Sequence, residues 1–298
     1  MAAGTPSRMV RSAASRKQPA VNTDTRLSPD RTGIADYRFV RHLGLGNHGA
    51  YYLAHRPERL HIDAEYVAVK VLSGPNSRDT FRRATRELTA FAAVKSPYLV
   101  TLYDAGQQRD DLYYSMEYLP DGSLADAAAS LAPGRILAAV ADAARAAHAL
   151  HEAGIAHNDI KPGNILLQDG HAKLSDLGLS QLLTPGLTIT GIGSAGSVEY
   201  LDPAIIRGEM PGRSSDIFAL GATLHRALTG AGLYGELPSD STMLAMRRVL
   251  SHEPGISPDL PAGVREIIAA AIDPDQAKRP ATAEDVAARI DALPAGGG

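Results

Sequence analysis

From Tyr37 onward the apolar residues fall into short runs separated by turn formers: Tyr37–Leu43, Ala50–His55, Tyr66–Leu72, Leu99–Ala105 and Leu112–Tyr118. Runs of this length, rich in β-branched and aromatic residues, predict strands, and together they predict a small antiparallel sheet. One segment breaks the pattern. In Asp79–Lys95 the apolar positions Phe81, Ala84, Leu88 and Phe91 recur at spacings of three and four, which places them on one stripe of a helix. Beyond Asp121 the helical period dominates, over Arg135–Glu152, Ser215–Thr229, Ser241–His252, Gly263–Ile272 and Ala283–Leu293, the last opened by Thr282 as an N-cap. The expected fold class is α+β in two lobes: a five-stranded antiparallel lobe with one helix over residues 36–119, and a larger, mainly helical lobe over residues 120–293. A cleft between two such lobes is where a ligand is expected.

Composition narrows the picture. With 298 residues, 44% of them hydrophobic, the chain can bury a substantial core, and without cysteine it has neither disulfides nor thiolate metal sites. A net charge of -3 gives no reason to expect direct contact with nucleic acid. The Ala-rich stretch Ala138–Ala156 is interrupted by Asp142, Arg145 and His148, and no run reaches the roughly 18 apolar residues of a membrane span. The N-terminal stretch has no apolar segment of the kind a secretory leader needs, so a cytoplasmic location is expected. Residues 1–35 carry Arg8, Arg11, Arg16, Lys17, Arg26 and Arg31 against Asp24 and Asp30, and read as a disordered basic arm; residues 294–298 read as a frayed end.

Four segments carry chemistry. Gly44, Gly46 and Gly49 lie between two predicted strands, where glycine lets backbone N–H groups approach a phosphate, although a plain hairpin turn has the same composition. Lys70 sits in the apolar strand Val67-Ala68-Val69-Lys70, where its ammonium must either reach the surface at a sheet edge or find an anion, and Glu87 lies at the edge of the helical stripe and needs a partner too, so a pair of the two would satisfy both. A Lys70–Glu87 pair would hold the ammonium within reach of nucleotide phosphates. The loop His157–Asn164 gathers Asp159, able to orient a hydroxyl and accept its proton, Lys161, able to neutralise a migrating phosphoryl group, and Asn164, able to offer an oxygen to a dication. His157 reads as a packed core histidine. Asp176, in Asp176-Leu177-Gly178, supplies the carboxylate that a hard dication needs beside Asn164.

Residues 37 to about 292 resemble the eukaryote-like (Hanks-type) Ser/Thr protein kinases of bacteria. The resemblance implies the bilobal kinase fold and MgATP-dependent transfer of the γ-phosphate to protein Ser/Thr hydroxyls, with Mn²⁺ as a substitute and autophosphorylation expected. Gly44, Gly46 and Gly49 then match the phosphate-covering loop, Lys70 and Glu87 the family's ion pair, Asp159, Lys161 and Asn164 the catalytic loop, and Asp176 the second metal ligand. Met116-Glu117-Tyr118-Leu119 resembles the hinge, with backbone groups of Glu117 and Leu119 holding adenine between Ala68 and Leu166, and Tyr51 standing where a valine usually covers the base. Gly196-Ser197 and Tyr200 resemble the substrate-docking end of the activation segment, Asp216-Ile217-Phe218 the start of the buried central helix, and Arg279-Pro280 its distal arginine.

The departures from the pattern set specific questions. Asn158 stands where the family carries an arginine that grips a phosphorylated activation loop. Ala204 stands where the family carries the glutamate that pairs with the arginine matched to Arg279, and Glu209, Asp202 or no residue at all takes its role. Leu177 and Tyr51 are exchanges expected to be tolerated, and the insert His55–Glu65 is expected as a plain surface loop. Two alternatives remain beside the protein kinase: a nucleotide-binding pseudokinase scaffold, and a small-molecule kinase, against which the long segment Gly178–Pro203 speaks. Whether two copies pair into a homodimer is left open.

Overall fold

The structure, a computed structural model, describes residues 28–46, 49–72, 78–176 and 195–294. Its strands and helices follow in chain order: β1 (Gly33–Ile34), β2 (Tyr37–Gly46), β3 (Gly49–His55), β4 (Tyr66–Leu72), α1 (Arg78–Ala93), β5 (Leu102–Gln108), β6 (Asp111–Glu117), α2 (Leu124–Ala127), α3 (Pro133–Glu152), β7 (Ile165–Gln168) and β8 (His171–Leu174). They continue, after a 3-10 turn at Ala195–Tyr200, with α4 (Pro203–Ile206), α5 (Arg213–Thr229), α6 (Thr242–Ser251), α7 (Ala262–Ala271) and α8 (Ala283–Asp291). The first six strands form one antiparallel sheet in the order β1-β2-β3-β4-β6-β5, and β7 pairs with β8 as a separate hairpin. The sheet has one strand more than expected. Residues 33–34, assigned from sequence to the basic arm, pair instead with β2, and Arg31 bonds Asp111 at 2.8 Å. Residues 1–27 lie outside the described residues, as does the greater part of the expected arm.

Strand alternation decides what β4 shows to each side. Val67, Val69 and Val71 face a cluster with Tyr37, Tyr52 and Tyr113, while Ala68 and Leu72 join Ala84, Leu88, Val100, Leu112, Tyr114, Met116 and Leu119 on the other face. Lys70 shares that second face, and β4 is flanked by β3 and β6, so its ammonium has no sheet edge to escape from. Of the stripe expected on α1, Ala84, Leu88 and Phe91 are buried; the side chain of Phe81 lies outside the described ones.

The strand expected at Leu99–Ala105 begins three residues later, because Leu99 and Val100 serve another purpose. Leu99 bridges to Leu174, the Val100 N–H donates to the Leu174 carbonyl at 3.0 Å, and the Leu174 N–H donates to the Tyr98 carbonyl at 2.8 Å. This segment stitches the sheet lobe to the β7–β8 hairpin. The insert His55–Glu65 is also more than a surface loop. Arg59 bonds Asp36 at 2.7 Å and Asp104 at 2.6 Å, and Leu60 and Ile62 cover the outer face of the sheet.

In the helical lobe the alanines of α3 lie against α5, α8 and β8. Gly221 lets α5 approach α7 closely, since a β-carbon there would stand 2.8 Å from Ala271 Cβ. Thr282 caps α8 through a reciprocal pair, accepting from the Asp285 N–H at 3.1 Å while Asp285 accepts from the Thr282 N–H at 2.9 Å. Among the described residues no helix is long and apolar enough to cross a membrane.

Candidate active site

The loop between α3 and β7 is held from below by one buried carboxylate. Asp216, in the first turn of α5, accepts from the backbone N–H groups of His157 at 2.7 Å and Asn158 at 2.8 Å and bonds His151 Nε2 at 2.8 Å. Three donors offset the cost of burying that charge and fix the backbone from which Asp159, Lys161 and Asn164 follow. His157 is fully buried, accepts from the Asp159 N–H at 3.3 Å and donates through Nε2 to the Ser175 carbonyl at 3.0 Å, so it is a neutral packed histidine, as expected. Burial holds its pKa below the ordinary value of 6.5, opposed by the nearby Asp216, Asp159 and Asp176 charges.

A pH dependence follows from that depression. The unfolded chain binds a proton on this imidazole at a pH where the folded chain does not, so the contribution to stability is complete above pH 6.5 and is lost as pH falls below it. The melting temperature is expected to drop between pH 7.5 and 5.5 in calorimetry, with a shallower drop in His157→Asn. An equal slope in both proteins would remove His157 as the cause.

Above this floor the charged groups meet. Lys161 Nζ lies 2.9 and 2.8 Å from the two Asp159 oxygens and 3.3 Å from Ser197 Oγ, and Asn164 Nδ2 donates to the Asp159 carboxylate at 2.9 Å and to its carbonyl at 2.7 Å. The register Ile165↔Leu174 brings residues 164 and 175 together at the mouth of the β7–β8 hairpin, where the Ser175 N–H donates to the Asn164 carbonyl at 2.8 Å. Asp176 follows directly, in the left-handed region at φ 59°. Asn164 and Asp176 therefore flank one opening. For an oxygen-seeking dication the donor set fits, a carboxylate beside an amide whose nitrogen is already engaged, leaving its oxygen as the ligand atom.

Lys70 is buried, but the pair expected with Glu87 is not formed. Lys70 Nζ lies 3.1 Å from Asp176 Oδ1, 4.7 Å from the Tyr51 ring centre and 5.9 Å from that of Tyr114, and both tyrosine hydroxyls donate to the Asp176 carboxylate. The reason is the register. Tyr51↔Lys70 and Lys70↔Tyr114 place the three side chains on one rung of the sheet, with Asp176 beneath them. Glu87 keeps a partly exposed position on α1 with no hydrogen bond or ion pair among the described residues, and burial alone pushes its carboxyl up. Burial also pushes Asp176 up, but Lys70 and the Tyr114 and Tyr51 hydroxyls outweigh it and hold the carboxyl below its ordinary range. Burial first, and the Asp176 charge second, keep Tyr51 and Tyr114 protonated. Tyr51, expected as a tolerated exchange over adenine, is thus a hydrogen-bond donor to the Asp176 carboxylate. Tyr114 was not singled out from sequence, although alternation from Lys70 and Met116 marks its face.

Ala68, Met116, Leu119 and partly buried Leu166, Leu43 and Tyr51 share one apolar cluster. Glu117 turns its side chain away, onto Lys173 Nζ at 2.8 Å and the Thr101 N–H at 2.7 Å, and its own N–H donates to the Thr101 carbonyl at 2.9 Å. Gly49 is held tight, since a β-carbon would fall 2.1 Å from the Val71 carbonyl oxygen, while Gly44 and Gly46 lie at the end of β2; Asn47 and His48 lie outside the described residues.

Of the three outcomes left open at Ala204, the structure takes Asp202. Its carboxylate bonds Arg279 Nη1, with a second contact to Nη2 at 3.3 Å, and both side chains are almost wholly buried; Glu209 instead accepts from Gln276 at the surface. Asp202 also caps α4 through the Ala204 N–H at 3.0 Å.

Residues 37–289 match the family model described as protein kinase domain. The serine/threonine-protein kinase PrkC of Bacillus subtilis is 34% identical over 267 residues, which cover 85% of this chain and 40% of that protein. The serine/threonine-protein kinase PknJ of Mycobacterium tuberculosis is 31% identical over 259 residues, covering 83% of this chain and 43% of that protein. The crystal structure of the Mycobacterium tuberculosis PknI kinase domain superposes with a TM-score of 0.65 at 24% identity, covering 88% of this chain and 98% of that one. The chain spans less than half the length of the curated relatives it matches.

Proposed function

This chain belongs to the protein kinase family, among the bacterial Hanks-type serine/threonine kinases, and from that premise we propose that it transfers the γ-phosphate of MgATP to Ser and Thr hydroxyls of proteins. The observation that carries the reading is the knot of Asp159, Lys161 and Asn164 on a floor fixed by Asp216. Asp159 orients the acceptor hydroxyl and takes its proton, Lys161 spreads the charge of the phosphoryl group in transit, and Lys70 aligns the nucleotide phosphates. Asn164 and Asp176 hold the divalent cation, Mg²⁺ or Mn²⁺, which when bound neutralises phosphate charge. Adenine is held by the backbone at Glu117 and Leu119 between Ala68 and Leu166, under a roof of Gly44, Gly46 and Gly49. Incubation with labelled ATP and a generic basic protein is expected to label Ser and Thr in that protein and in the chain itself, read by mass mapping. Thermal stabilisation by ATP without any transfer would instead make it a scaffold, a reading weakened by the Asp202–Arg279 anchor that replaces the missing glutamate.

Activity without a phosphate on the activation segment is a second expectation. Asn158 has φ 65°, donates its N–H to Asp216 and its amide to the Ala156 carbonyl at 3.3 Å, and offers no cation to a phosphate. Thr188, Thr190 and Ser194 lie outside the described residues, and Ser197 Oγ lies 3.3 Å from Lys161 Nζ; alanine at each of the four is expected to cost less than about tenfold in initial rate. Complete loss from any one of them would refute phosphate independence.

A further inference from the structure

Both oxygens of the Asp176 carboxylate are engaged by the chain itself: Oδ1 by Lys70 Nζ at 3.1 Å and the Tyr114 hydroxyl, Oδ2 by the Tyr51 hydroxyl. The two tyrosines are not equivalent. Tyr114 is buried in β6 between β4 and β5, a position from which it cannot move without breaking the sheet. Tyr51 is partly exposed, two residues after Gly49, in the hairpin formed by β2 and β3. Its ring lies directly under that hairpin: a β-carbon on Gly46 would stand 2.7 Å from Tyr51 Cε2 and 3.2 Å from its hydroxyl oxygen. The phenol therefore fills the space between the glycine-bearing hairpin and the carboxylate, in contact with both.

We propose that Tyr51 is an internal competitor of the divalent cation, its hydroxyl holding the Asp176 oxygen that the cation has to take. This rests on the nucleotide-binding reading above and deepens it. Oδ1 already accepts two bonds, so a cation that draws on Asp176 turns to Oδ2, where it meets the Tyr51 hydroxyl and part of the volume that the phenol fills. Nucleotide alone brings phosphate oxygens, which offer Asp176 nothing but repulsion, so free nucleotide leaves the Tyr51 bond in place. Nucleotide carrying its cation would replace the Tyr51 donor to the carboxylate by a stronger partner and free the phenol from it. Tyr51 thereby sets how much cation the site demands, while Tyr114 and Lys70 keep the carboxylate aimed.

The test compares the full chain with Tyr51→Phe, which keeps the ring under Gly46 and removes only the hydroxyl. The first quantity is the free Mg²⁺ concentration that half-saturates binding of a fluorescent ADP; the second is the affinity for the same ADP in EDTA. A hydrogen bond to a charged group is strong enough that its loss is expected to lower the Mg²⁺ requirement about tenfold, a larger change than any in the affinity measured in EDTA. An unchanged or higher Mg²⁺ requirement in Tyr51→Phe overturns the proposal while leaving the nucleotide reading intact. Failure of the unaltered chain to bind ADP at any Mg²⁺ concentration sinks that reading, and this one with it. A thermal measurement covers the contact independently of ligand: Tyr51→Phe is expected to lower the melting temperature, and the decrement is expected to vanish in an Asp176→Ala background, which has no side-chain acceptor. Equal decrements in both backgrounds overturn the contact.

Discussion

Asp159→Asn is expected to lower kcat by about 10²- to 10⁴-fold, the range that a positioned general base supplies, with ADP affinity nearly unchanged. Asp159 receives two bonds from Lys161 and one from Asn164, all of 2.9 Å or less, so its carboxylate is fixed rather than free to search for a hydroxyl. Asparagine keeps the shape and one acceptor but loses the basic oxygen, and the amide it introduces points a donor at the Lys161 ammonium or the acceptor hydroxyl. The defect should therefore lie in the chemical step. Single-turnover transfer from labelled ATP, set beside ADP binding in the same preparation, separates the two. A kcat within tenfold of the parent would remove Asp159 from the role of base, and a parallel collapse of ADP affinity would make its role structural.

Asp202→Ala is expected to destabilise the fold by about 3–5 kcal/mol, the cost of leaving one member of a buried ion pair without its partner. Both side chains of the Asp202–Arg279 pair are almost completely excluded from solvent, and Arg279 reaches only backbone and hydroxyl oxygens otherwise, at Asp273 and Ser214. For a chain of this size that corresponds to a loss of roughly 6–20 °C in melting temperature. Because Asp202 follows the turn that delivers Ser197 to Lys161, transfer should weaken along with stability. Adding Ala204→Glu to Asp202→Ala returns a carboxylate to the position the family uses and is expected to recover part of both losses. Calorimetry showing less than a 2 °C change for the single variant would mean that water or another group already satisfies Arg279.

What could be read without coordinates was what local order determines. The strand Tyr66–Leu72 is the same in sequence and structure, because strict alternation of valines against Ala68, Lys70 and Leu72 leaves one way to bury both faces. The Thr282 cap and the grouping of Asp159, Lys161 and Asn164 were legible for the same reason: their partners lie within five residues of one another. Where reading failed, the competing groups were remote. Arg279 had three outcomes to choose from, and α4 begins so close to Asp202 that the nearer carboxylate, not the more exposed Glu209, turns inward.

The partner of Lys70 marks the boundary most clearly. The sequence by itself determined the face of the strand on which this ammonium stands, shared with Ala68 and Leu72, and that it must either reach the surface or find an anion; the sheet order then removed the first option. Only the tertiary structure decided which anion, since Glu87 on α1 and Asp176 after β8 are separated from it by 17 and 106 positions and neither is linked to it by any strand or helix period. Tyr51 and Tyr114, brought onto the same rung by pairing across three strands, supply the hydroxyls that tip the choice to Asp176. Periodicity fixes the side of an element on which a charge stands, whereas the counter-charge it meets is fixed by how separate elements come together in space.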